Sequence, residues 1–218
     1  MTHFDDDELP DSGRPWRRAR GIFVLAELSG PAADRIAELQ RQWDPKLAAQ
    51  QSPHVTLIGS SGAGPIVPGT TEAELRSAVE PIARATPPLV LPLEPAHRYM
   101  QTEIVVLPMS VNGPLRALHE KIRTSGLKFL PARFAFSPHA TLSFYPTLTR
   151  PAARALLQVR VTEPVVIERL SFSLTNDPQP PTRLFELALG GLRGPPDGND
   201  GEAGTTLTGL QDCRMCIS

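Results

Sequence analysis

The chain has 218 residues, with 22 Lys+Arg against 23 Asp+Glu and a formal charge of −1. That length fits one domain or two small lobes sharing a core, and the balance excludes a protein held to nucleic acid mainly by phosphate neutralisation, although a local basic cleft is compatible with it. A hydrophobic fraction of 40% supports a packed interior. No stretch nears the roughly 18 apolar residues of a membrane span, and Asp5, Asp6, Asp7 and Glu8 stand where a secretory leader needs an apolar core, so a cytoplasmic location is expected.

In chain order, residues 22–26 form a short β-prone run. Residues 31–43 carry Ala33, Ile36, Ala37, Leu39 and Trp43 at mostly helical spacing behind a proline. A strand follows at 54–58, then a helix at 71–85 with Thr71 and Glu74 as a capping box. Strands are expected at 89–93 and 103–111. A helix over 112–125 is capped by Asn112 and stopped at Gly126. The remaining elements are a strand at 136–144, a short helix at 150–158 and a closing pair of strands at 165–174 and 183–189. Many strand connections are short enough for antiparallel pairing, so the expected class is α+β, with helices packed outside antiparallel sheets. The domain reading is a flexible segment 1–20, a body 21–190 and a flexible tail 191–218. Cys213 and Cys216 fall in that tail at C-x-x-C spacing, which is half a zinc site at most.

One pattern outweighs the rest. Residues 52–57 read Ser-Pro-His-Val-Thr-Leu and residues 137–142 read Ser-Pro-His-Ala-Thr-Leu, identical at five of six positions. A helical pattern precedes each copy. The pair indicates internal duplication of one supersecondary unit. Residues i and i+2 of a strand share a face, so His54 sits with Thr56 and His139 with Thr141, while Val55, Leu57, Ala140 and Leu142 point to a core. Pro53 and Pro138 fix each strand's entry. If a pseudo-two-fold axis relates the copies, two imidazoles and two hydroxyls converge on one cleft.

Such a set suits phosphate esters. Histidine titrates near neutrality, so one ring can accept a proton while the other, charged, donates one. The threonine hydroxyls can donate to non-bridging phosphoryl oxygens. Two histidines are too few ligands for a well-held zinc, so neither metal nor cofactor is expected.

Carried by His54-Val55-Thr56-Leu57 and His139-Ala140-Thr141-Leu142, and fitting the element order from about residue 21 to 189, the sequence resembles the 2H phosphoesterase superfamily, specifically its 2′-5′ RNA ligase and cyclic phosphodiesterase-like group. The resemblance implies a bilobal α+β fold, two sheets forming a central cleft with the motifs facing across it. It also implies metal-independent chemistry, commonly the opening of 2′,3′-cyclic phosphates on RNA or nucleotides. In the family one His activates water and the other protonates the departing ribose oxygen; the spacing leaves open which is which. RNA or a nucleotide is the expected partner, with no membrane, no obligate protein partner and a monomeric state. A binding module without turnover, or reversible 2′-5′ ligation, would use the same residues.

Further candidates are Tyr145, four residues past Thr141 and able to stack on a base; Arg133, with Lys128, as phosphate contacts; and His97, in a turn where Arg98 and Tyr99 can join it. His119 is expected on a helix surface. The Gly-, Ser- and Pro-rich loop 59–70 is a candidate lid or specificity element.

Overall fold

The computed structural model describes residues 20–99, 102, 104–145, 148–175 and 180–191; apart from Arg20 and Gly191, both expected tails, with Cys213 and Cys216, lie outside them. The chain enters on β1 (Gly21–Ser29) and passes into α1 (Pro31–Trp43). A six-residue helix, α2 (Pro45–Gln50), follows directly. It has no counterpart in the hydrophobic period because it is too short to show one. What starts it is Asp44, whose side chain accepts from the Leu47 N–H, with Pro45 in the first turn.

Next come β2 (His54–Ile58) and α3 (Glu72–Arg84), the latter opened by the Thr71–Glu74 capping box. Then follow β3 (Leu89–Leu91), β4 (His97–Arg98), β5 (Val105–Pro108), α4 (Pro114–Arg123), β6 (His139–Ser143), α5 (Arg150–Leu157), β7 (Val165–Thr175) and β8 (Thr182–Ala188). Several bounds differ from the sequence reading for reasons of proline chemistry. Pro114 sets the start of α4, behind Gly113 and not Asn112. β6 begins at His139 because Pro138 has no N–H for the ladder. His97 lies on a strand paired with β5, not in a turn.

Within the described residues the strands form one antiparallel sheet in the order β3-β7-β1-β2-β6-β5-β4, with β8 also on β7. This corrects the expectation of two sheets. The reason is that β2 and β6 pair with each other: Val55 stands opposite Ala140, the one register position they share among the described residues. Two halves are thus joined at a narrow central seam instead of facing across a gap.

The two seam strands alternate identically, half-buried then buried from their histidine onward. Val55, Leu57, Ala140 and Leu142 are fully buried, in one core with Ile36 and Leu39 of α1, Leu75 and Val79 of α3, and Leu115, Leu118 and Ile122 of α4. Burying each Val, Leu or Ile among them stabilises by about 1.5–3 kcal/mol. The core therefore fixes which face of β2 and β6 is left for other use, since a one-residue slip would turn every side chain over.

Candidate functional site

The face opposite the core carries both His-Thr pairs. With Val55 facing Ala140 in antiparallel register, the same register brings His54 toward Thr141 and Thr56 toward His139. Each histidine therefore neighbours the other motif's threonine, and the two histidines lie on the diagonal, a spacing of about 7–8 Å in regular sheet. The predicted quartet is brought together.

Both rings are held alike. His54 Nδ1 is 2.8 Å from the Ser52 carbonyl, and His139 Nδ1 is 2.7 Å from the Ser137 carbonyl. A carbonyl only accepts, so in each ring Nδ1 carries a proton and Nε2 is left for chemistry. Both are half-buried by surface yet densely surrounded. Burial pushes the pKa of His54 down, partly offset by the Ser52 carbonyl, and the charge of His139 pushes it down further. Burial likewise lowers His139, offset by the Ser137 carbonyl. Both shifts favour the neutral form of the rings.

A cavity of about 180 Å³ adjoins His54, walled by Glu27, Ser171, Ser173 and Arg183. Arg183 reaches Glu27 at 2.5 Å and also pairs with Glu186. A second cavity of about 530 Å³ is lined by Phe23, Phe144, Tyr145 and Arg133. Gln50, Gln51 and Pro181 belong to both linings, so the two adjoin. Tyr145 and Arg133 hence share one hollow beside the His54 end. Another hollow, on α3 between Arg76 and Ala85, has no residue in common with these two. His97 is exposed and meets the quartet indirectly: its ring packs edge-on against Tyr99, 6.1 Å away, and Tyr99 packs edge-on against His139 at 5.5 Å.

Among the described residues no three His, Cys, Asp or Glu side chains cluster where they could hold a metal, and no helix is long and apolar enough to cross a membrane. The profile of the 2′-5′ RNA ligase superfamily matches residues 28–176, both motifs included. The chain belongs to that superfamily, the 2H phosphoesterases. No curated protein matches it at the sequence level. Among solved structures it is similar to a phosphoesterase (20% identity, 78% of this chain and 98% of that one, TM-score 0.46). It is also similar to E. coli LigT complexed with 3′-AMP (20% identity, 78% and 98%, TM-score 0.46) and to apo E. coli LigT (17% identity, 78% and 98%, TM-score 0.45).

In this 2H phosphoesterase three supporting groups escape a sequence reading. Asp44, fully buried, accepts the backbone N–H of Phe144 at 2.7 Å and of Tyr145 at 2.9 Å. It thereby fixes the segment that leaves β6, and Tyr145 in turn donates to Gln50 Oε1 at 2.7 Å. Gln40 of α1 donates to the Thr141 carbonyl at 2.7 Å. His119 is not on a helix surface; it is 1% exposed, its Nδ1 is 2.8 Å from the Leu57 carbonyl and its ring stacks on Phe136 at 4.2 Å. The loop 59–70, read as a lid candidate, is stitched down: Ile66 is fully buried and bridges to Ile22 and Phe129.

Proposed function

We propose that the protein is a metal-independent phosphodiesterase that opens a 2′,3′-cyclic phosphate, or cuts a 2′-5′ or 3′-5′ phosphodiester, of RNA or a nucleotide. The observation that carries this reading is the antiparallel meeting of Val55 with Ala140, a register that supports two imidazoles and two hydroxyls sharing one face of adjacent strands. One imidazole takes a proton from water as it attacks phosphorus. The other gives its proton to the departing ribose oxygen, each transfer being worth roughly 10²–10⁴-fold. Thr56 and Thr141 donate to the non-bridging oxygens, where charge grows in the transition state.

The bound phosphodiester is itself an anion, so its arrival favours protonation of one ring that burial otherwise keeps neutral. The nucleoside extends into the adjoining hollow, where Tyr145 offers a stacking face and Arg133 a cation; His97 stands at the opposite rim, beyond Tyr99. The test is incubation with 2′,3′-cyclic nucleotides and with linear 2′-5′ and 3′-5′ dinucleotides, resolving 2′- from 3′-monophosphate. Turnover that survives EDTA and is lost in His54→Ala and His139→Ala is expected. Saturable binding without product sinks the enzymatic reading, and activity lost to EDTA and restored by zinc sinks the metal-free one.

A further inference from the structure

The two imidazoles are alike in their carbonyl contacts but not in their surroundings. Around His54 Nδ1 stands the Ser52 carbonyl. Around His139 Nδ1 stand the Ser137 carbonyl at 2.7 Å and the Tyr99 hydroxyl at 3.0 Å. The proton must sit on Nδ1, because the carbonyl at 2.7 Å has none to give. The tyrosine oxygen therefore accepts a share of it, and its own proton is free to go to Ser137 Oγ, 3.3 Å away.

The backbone at Tyr99 is tied down. Its N–H donates to the Ile104 carbonyl at 3.1 Å and its carbonyl accepts from Thr102 N at 3.2 Å and from Thr102 Oγ1 at 2.9 Å. The titratable and charged groups beside the pair include His54 from β2 and His97 and Arg98 from β4. Glu27 on β1, opposite His54, is engaged by Arg183. β5 offers His139 only Pro108 across the ladder.

We propose that Tyr99 is the positioning residue of His139: it holds the ring with Nε2 toward the phosphate and stabilises its imidazolium, so that of the two rings His139 keeps a proton more readily than His54. The proposal rests on the phosphodiesterase reading and deepens it, giving the two motif copies different tasks. A charged Nδ1–H shared between two oxygens is better solvated than one with a single acceptor. The mutual repulsion of the rings then keeps the second proton off His54.

The test is a pH titration of the histidine ring signals by NMR in the full chain, comparing wild type with Tyr99→Phe, which keeps the aromatic packing. The pKa of His139 is expected to fall by about one pH unit and that of His54 to move far less. On a cyclic nucleotide kcat should drop about tenfold with KM unchanged, and Ser137→Ala should give a smaller shift of the same sign. An unchanged His139 titration, or equal shifts in both rings, overturns the proposal. Because the titration needs no turnover, the shift can be found in a protein that cleaves nothing, and an active enzyme can fail to show it; the two claims fall separately.

Discussion

Asp44→Ala isolates how the fold holds the site. In the native chain one carboxylate oxygen caps α2 through Leu47 N at 3.0 Å, and the other takes the N–H groups of Phe144 at 2.7 Å and Tyr145 at 2.9 Å. Loss of the cap costs about 1 kcal/mol. Loss of a hydrogen bond to a charged group costs about 1.5–3 kcal/mol for each of the other two. The sum, about 4–7 kcal/mol, is comparable with the whole stability of an ordinary domain, about 5–15 kcal/mol. Asp44→Asn keeps one carbonyl oxygen and so only one side of the clamp, with an expected loss of about 1–3 kcal/mol. Urea denaturation should show a lowered midpoint at constant slope for both variants. Where Asp44→Asn still folds, KM for a nucleotide substrate should rise, since the Phe144–Tyr145 segment walls the larger cavity. If both variants lie within about 0.5 kcal/mol of wild type, the range of an ordinary surface change, the clamp is not what holds that segment.

His54→Ala and His139→Ala should each lower kcat by about 10²–10⁴-fold with unchanged circular dichroism, and the double variant should lose little more, because the pair acts as one unit. Both pKa values are pushed down from the ordinary histidine value by burial, so kcat/KM, which reports the free enzyme, should peak below about pH 6.5 and fall as pH rises and the acid loses its proton; a maximum above about pH 7.5 contradicts that assignment. The same depression, shared by His119, means the unfolded chain binds more protons. Stability from these three groups is therefore present above about pH 6.5 and lost as pH falls below it, as thermal melts between pH 7 and pH 5 can show. Gly62→Ala should cost about 2–3 kcal/mol or more in urea denaturation, because Gly62 has φ +75 and an added Cβ would lie 2.3 Å from the His119 ring.

Where side-chain chemistry is local, the sequence is readable: the Thr71–Glu74 box starts α3, and the Pro-His-x-Thr-Leu text starts both seam strands. Where spacing and side-chain type disagree, spacing was the better guide. Leu115, Leu118, His119 and Ile122 sit at i, i+3, i+4 and i+7, a buried stripe. The polarity of His119 suggested water, but the Leu57 carbonyl supplies the partner that lets it stay inside. The quartet's strand faces followed from period two, whereas the single sheet did not, because it depends on one contact between residues 85 positions apart. Tyr99 was visible as a companion of His97, not as a partner of His139. Its approach to His139 needs β4 to lie on β5 and β5 on β6, which no local pattern encodes.

The seam has a mechanical consequence. One rung joins β2 to β6, so the ladder does little to set how far apart the two rings stand. Two cross-braces supplement it: Gln40 of α1 bonds the second motif's strand, and His119 of α4 bonds the first. On the proposed function, changes buried in α1 or α4 would reach the site through these two bonds while every polar group of the quartet stays the same.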